Sequence, residues 1–169
     1  MNIVYLLLGV NLGARHEQLR KAAAEIEEHV GVIIERSSIY ETAAWGMEDE
    51  PSYLNQVLLI ETELKPQLLL AKIHEIESRL GRTRLKKWGS RLIDIDILFY
   101  NDFVIEEEFL TIPHPLLHKR KFTLLPLSEL TLALMHPVLK KTIQELLDEL
   151  NDPLEVRRLS GLDSLTDSN

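Results

Sequence analysis

Asp94 and Asp96 stand at alternate positions of an apolar run, Ile93-Asp-Ile-Asp-Ile-Leu-Phe99. In an extended strand residues two apart share a face, so both carboxylates project from one side and Ile93, Ile95 and Ile97 from the other. Two carboxylates that close raise each other's pKa unless a cation intervenes. Mg²⁺ is the natural cation, because it takes hard oxygen ligands and is commonly held by one or two carboxylates plus substrate phosphates. Two such ions about 3.5–4 Å apart can clamp a reacting phosphate chain. A strand face that turns alternate aspartates to water has the same pattern, so the pair alone does not decide.

What precedes the pair separates the two readings. Arg79, Arg82, Arg84, Lys86, Lys87 and Arg91 fall within thirteen residues, and no Asp or Glu occurs between Glu77 and Asp94. Arginines offer bidentate contacts to phosphate. Trp88 adds a flat surface, and Gly89 permits close backbone approach. An exposed basic loop balancing an acidic surface is the plain alternative. Cations for a polyanion followed by acids for its metal fit a nucleoside triphosphate better than a nucleic acid backbone.

Other residues carry weaker signals. Tyr53 and Asn55 lie two apart at the mouth of a predicted strand. A ring beside an amide that donates and accepts suits a flat, hydrogen-bonding heterocycle, though an ordinary strand start looks the same. His114 and His118 are spaced to share a helix face, but a zinc site needs a third ligand that the sequence does not offer. Neither G-x-x-x-x-G-K-[ST] nor G-x-G-x-x-G occurs, so the common nucleotide-binding folds find no support.

These residues need elements to position them. Ile3–Leu8 reads as a buried strand ended by Gly9 and Gly13. Leu19, Ala22, Ala23, Ile26 and Val30 recur at helical spacing from Arg15 to His29, with Gly31 as a C-terminal cap. Val32–Tyr40 is rich in β-branched residues and predicts one strand; Tyr53 to about Leu64 predicts the next. Pro66 opens a second helix with Leu69, Ile73, Ile76 and Leu80 on one face, and Gly81 just past its end. Ile93–Phe99 is again a strand. The order β-α-β-β-α-β is the signature of an α+β, ferredoxin-like core. Additional C-terminal strands and helices follow: a strand pair near Phe103–Ile112, a helical stretch around His114–Leu130, and a last helix opened by a Thr142/Glu145 capping box. Residues 1–150 predict one catalytic domain, and residues 151–169 a loose polar tail. Thr42–Ser52 and Arg82–Ser90 are long connections of the kind that serve as lids or binding loops.

At 169 residues and 45% hydrophobic content, the chain suits one globular domain with a sizeable core. A net charge of −8 argues against a broad nucleic-acid footprint. The absence of cysteine excludes disulfides and thiolate metal sites. The apolar start is too short to span a membrane and lacks a basic leader, so a cytoplasmic protein is expected.

Trp88-Gly-Ser-Arg-Leu-Ile-Asp-Ile-Asp-Ile97, with Arg82-Thr-Arg84 ahead of it, resembles the signature of the 6-hydroxymethyl-7,8-dihydropterin pyrophosphokinase family. Gly9-Val-Asn-Leu-Gly13, Tyr40-Glu-Thr42, Tyr53-Leu-Asn55, Leu110-Thr-Ile-Pro-His114 and Arg120-Lys-Phe122 extend the resemblance from residue 3 to about 150. In that family a pterin alcohol takes the terminal diphosphate of ATP and AMP leaves, in folate synthesis. The resemblance implies that Asp94 and Asp96 bind two Mg²⁺ ions bridging the triphosphate. Arg82 and Arg91 would contact the phosphates, with Arg84 and Trp88 in the same mobile loop. His74, Glu77, Ile97, Thr111, His114 and Arg120 would line the ATP side. The pterin would stack between Tyr53 and Phe122, its edge read by Asn55 and by Thr42, Ala43 and Ala44. The partners implied are small molecules, with no nucleic acid or membrane, and a monomer or weak oligomer.

The sequence departs from the family pattern at several points. Val10 replaces a frequent serine, Ala43-Ala44 a pair of prolines, His74 a glutamine, and Phe109 an occasional arginine. None of these removes a metal ligand. An RNA-binding module shares the ferredoxin-like topology, yet the chain has no stacking aromatics in RNP-type motifs. A small-molecule-sensing regulatory domain would need neither the aspartate pair nor the cationic loop.

Overall fold

The structure, a computed structural model, describes residues 1–42, 52–81 and 93–160. Its centre is β1 (Asn2–Val10), a strand of nine residues that is buried from Val4 to Val10. A strand buried on both faces needs cover on each. The helices α1 (Arg15–His29) and α2 (Pro66–Gly81) supply one layer, as their helical spacing predicts. Val4, Leu6, Leu8 and Val10 face Leu19, Ala22, Ala23 and Ile26 of α1 and Leu69, Ile73 and Ile76 of α2, all closed to solvent. Gly31, just past α1, is needed for contact: a Cβ there would meet the Glu61 carbonyl oxygen at 2.1 Å.

Antiparallel neighbours flank β1 on both sides: β4 (Tyr53–Thr62) on one and β5 (Asp94–Tyr100) on the other. Beyond β4 the sheet continues with β2 (Val32–Arg36) and β3 (Tyr40–Thr42), which both pair with β4. The order β5-β1-β4-(β2, β3) is that of a ferredoxin-like sheet, as expected. The one strand expected over Val32–Tyr40 is two. Ser37 separates them: its hydroxyl accepts from Val57 N–H at 2.9 Å and donates to the Ser38 carbonyl at 2.7 Å. A side chain in the place of a regular backbone partner interrupts the ladder.

Among the described residues, the helices on the second face cover one end of it. Tyr5, Leu7, Val57, Leu98 and Phe99 pack against Leu124 and Leu127 of α3 (Lys121–Leu130) and Ile143 and Leu146 of α4 (Ile143–Asp148). A bulge at Leu98 sends both Leu98 and Phe99 to this side, while Ile97 and Tyr100 pack on the other. α4 carries the expected capping box, with Thr142 and Glu145 each satisfying the other's backbone N–H. β6 (Ile105–Glu106) and β7 (Thr111–Ile112) form the small pair expected near Phe103–Ile112. A single 3-10 turn, Leu117–Lys119, leads into α3.

The expectation of a loose tail after residue 150 is corrected in part. β8 (Val156–Arg158) adds to the sheet beside β3, and Leu159 closes into the core at 8% exposure. Edge strand β3 has unpaired backbone groups on its outer side, and β8 satisfies them.

Candidate functional site

Register puts the predicted residues together. On the second face, Gly9 of β1 lies between Asn55 of β4 and Asp94 of β5, and Leu7 lies between Val57 and Asp96. Thr42 of β3 pairs with Tyr53. Because side chains alternate along each strand, all of these project where α3 and α4 leave the sheet uncovered. The result is a cavity of about 510 Å³, floored by the sheet. Thr42, Tyr53, Asn55, Asp94, Asp96, Arg120 and Phe122 line it, a set assembled from three strands and the start of one helix.

Gly9 makes the floor possible. A Cβ on it would come within 2.7 Å of Asn55 Nδ2, which instead donates to the Leu8 carbonyl at 3.3 Å. The amide is thereby held flat against β1 and is only 4% exposed. Thr42 is 3% exposed, and its Oγ1 is buried without a hydrogen-bond partner. An unsatisfied buried hydroxyl in a cavity wall is costly unless a ligand completes it.

The opposite wall comes from the start of α3. The Arg120 guanidinium sits 5.4 Å from the centre of the Phe122 ring, a cation–π arrangement that holds positive charge at the cavity edge. His114 stands beside Asp96, Nε2 to Oδ2 at 3.9 Å. Its Nδ1 accepts from Leu116 N–H at 3.1 Å, so the neutral ring carries its proton on Nε2, toward the carboxylate. Burial lowers the His114 pKa; the Asp96 charge opposes this and Arg120 adds to it. His114 is therefore neutral at pH 7, with its Nε2 directed at the Asp96 carboxylate. The oxygen-only pair Asp94 and Asp96, half-buried on a cavity wall, fits Mg²⁺, which needs few protein ligands.

The remaining expected residues are less central. Glu77 is half-buried on α2, where its Oε2 accepts from Ile95 N–H at 2.8 Å and so ties the helix to β5. The Ile97 side chain is 6% exposed and belongs to the core under the opposite face. His74 on α2 and Thr111 on β7 are exposed and do not line the cavity. His114 and His118 share no site: His118 faces His136, with ring centres 6.4 Å apart. Ala43, Ala44, Arg82, Arg84, Trp88 and Arg91 lie outside the described residues.

Sequence reasoning missed Leu7, Lys119, Asn151, Asp152 and Leu154 in the lining, and gave Gly9 no role there. Only Gly9 had a usable signal, as a glycine inside a buried strand marks a close approach. A separate trio on α1, Glu25, Glu28 and His29, lies within 4.8 Å of itself. It sits on the helix exterior, with Glu25 taken by Arg79 Nε at 2.6 Å. Among the described residues no helix is long and apolar enough to cross a membrane.

Comparison with known proteins agrees with the geometry. The family model of 7,8-dihydro-6-hydroxymethylpterin-pyrophosphokinase matches residues 5–132. A 2-amino-4-hydroxy-6-hydroxymethyldihydropteridine pyrophosphokinase of Aquifex aeolicus is 45% identical over 145 residues, covering 86% of this chain and 90% of the relative. Its namesake in Bacillus subtilis is 45% identical over 130 residues, 76% of this chain and 78% of the relative. A crystal structure of Plasmodium falciparum HPPK-DHPS superposes with a TM-score of 0.73 at 23% identity and carries the same fold. That match covers 88% of this chain but only 43% of the Plasmodium one.

Proposed function

The chain belongs to the 7,8-dihydro-6-hydroxymethylpterin-pyrophosphokinase family, and from that membership we propose that the cavity at the open end of the sheet is where the pterin alcohol and ATP meet. The protein transfers diphosphate from ATP to 6-hydroxymethyl-7,8-dihydropterin, a step of folate biosynthesis. The alcohol oxygen bonds to the β-phosphorus, the bridge to the α-phosphate breaks, AMP leaves, and the alcohol proton is released.

The observation that carries the site assignment is the shared face of Thr42, Tyr53, Asn55, Asp94 and Asp96 around one cavity. The Tyr53 and Phe122 rings suit a flat heterocycle stacked between them. The Asn55 amide and the buried Thr42 hydroxyl suit its polar edge. A pterin stacked there would hold its alcohol next to the aspartates, with the phosphate chain on the Asp94–Asp96 side.

Asp94 and Asp96 would hold two Mg²⁺ ions. Bound there, the metal neutralises triphosphate charge and aligns the chain for displacement. Arg120, on the cavity edge, adds positive charge near the phosphates. The family resemblance assigns the remaining phosphate contacts to Arg82 and Arg91 and further roles in ATP binding to Arg84 and Trp88. Phosphoryl-type transfer asks the protein for alignment and electrostatic stabilisation, and no strong general base is required of it.

Calorimetric titration of Mg²⁺ in the presence of a non-hydrolysable ATP analogue is expected to give two ions per chain. Asp96→Ala should lose at least one ion and reduce turnover by at least about a hundredfold, as for loss of a group that stabilises transition-state charge. The Asp96 side chain is 41% exposed, so the variant should keep the wild-type thermal midpoint. Wild-type turnover in Asp96→Ala would sink the metal role.

A further inference from the structure

Residues 151–158 touch two sides of the cavity. Asn151, Asp152 and Leu154 line it directly. Asp152 Oδ2 accepts from the backbone N–H of Lys121 at 2.9 Å, and its Oδ1 accepts from Leu154 N–H at 3.0 Å. Lys121 begins α3, between Arg120 and Phe122, so this contact fastens the segment beside the aromatic wall. Further on, β8 pairs in register with β3, placing Val156 opposite Thr42 and Arg157 opposite Glu41.

Glu41 is the second fastening. Its Oε1 accepts from Arg157 Nη2 at 3.0 Å, and its Oε2 accepts from Arg15 Nη1 at 3.1 Å and from Ser52 Oγ at 2.8 Å. Arg15 Nη1 also donates to the Ser52 carbonyl at 3.0 Å. Burial by itself would push the Glu41 carboxyl up, but the hydrogen bonds from Ser52, Arg157 and Arg15 outweigh it and hold it below its ordinary value. An ionised Glu41 therefore joins β3 to the residue just before β4. Thr42 and Tyr53, its immediate neighbours in that pair of strands, form the other cavity wall.

We propose that residues 151–158 are a strap that sets the width of the substrate cavity, with Asp152 and Arg157 as positioning residues for the flat substrate. Asp152 holds the Phe122 side; Arg157, through Glu41, holds the Thr42–Tyr53 side. The strap rests on the assignment of this cavity to the pterin. It acts on geometry more than on the fold, because Arg157 is 59% exposed and ion pairs that open contribute little to stability.

The test is steady-state kinetics of Arg157→Ala, Arg157→Lys, Asp152→Ala and Asp152→Asn, with a thermal midpoint for each. In both alanine variants KM for the pterin alcohol should rise about fivefold, the loss expected for a charge-assisted hydrogen bond that fixes a wall. KM for ATP and kcat should stay within about twofold, the pattern of lost uniform binding. Arg157→Lys, which keeps a cation for Glu41, and Asp152→Asn, which keeps an acceptor for the Lys121 N–H, should restore most of the pterin KM. An unchanged pterin KM in folded alanine variants would overturn the strap alone. So would parallel loss of kcat and of both KM values with a fallen midpoint, the mark of a merely structural role. A wild-type chain that makes no AMP would instead remove the pterin assignment, and the strap with it.

Discussion

Replacing Gly9 by alanine tests whether the close approach at the cavity floor sets the position of Asn55. The added Cβ would lie 2.7 Å from Asn55 Nδ2, where ordinary contact begins at 3.4 Å. The amide must therefore retreat by roughly 0.7 Å, and its bond to the Leu8 carbonyl, already 3.3 Å long, does not survive extension to about 4 Å. Losing that buried bond costs about 1 kcal/mol. Crowding at a site 4% exposed adds about 1 kcal/mol or more. Urea unfolding should thus show Gly9→Ala destabilised by about 2 kcal/mol. A displaced amide also loses its directed contact with the pterin edge, worth about a tenfold rise in pterin KM. The sharper assay is a cycle with Asn55→Ala, which removes the group that the new methyl strikes. Gly9→Ala in that background should add little further cost, a coupling expected only of residues in contact. Additive costs, or an unchanged pterin KM in Gly9→Ala, would refute the reasoning.

Two further outcomes concern the helical cover. Thr142→Ala breaks the capping box of α4 and should cost about 1 kcal/mol in urea unfolding with no change in either KM; a KM effect would place α4 closer to the chemistry than its packing does. Burial lowers the pKa of His118 and His136, aided by Lys119 for the first and by His118 for the second. Unfolded histidine binds protons more readily than these rings do, so their stabilising contribution is complete above pH 6.5 and is lost as pH falls through the lowered folded values. Ring-proton NMR should find both midpoints below 6.5, and His136 should be the harder to protonate at Nδ1, which accepts from Val138 and Leu139 N–H at 3.2 and 3.0 Å. A midpoint above 6.5 for either ring would contradict the burial account.

Local signals were legible and long-range ones were not. The alternation through Ile93–Ile97 announced which face carries Asp94 and Asp96, and the structure places the isoleucines in the core as that alternation requires. The Thr142/Glu145 box and the Arg15–His29 periodicity were equally direct. The break at Ser37 escaped notice because β-branched residues run across it, while a hydroxyl that replaces a backbone partner leaves no periodic trace. β8 escaped for a related reason: Val156-Arg-Arg158 has no amphipathic pattern, and it becomes a strand because β3 offers an edge and Glu41 a carboxylate. Family motifs reached Phe122, so Asp152 and Arg157 carried no motif to find them by. The cavity itself arises from three ladders held in register, which no single stretch of sequence encodes.

The most direct measurement is product analysis by mass after incubation of the protein with ATP, Mg²⁺ and 6-hydroxymethyl-7,8-dihydropterin. Diphosphate transfer predicts AMP and the pterin diphosphate in equal amounts. Formation of ADP with a pterin monophosphate, or no product at all, would contradict it.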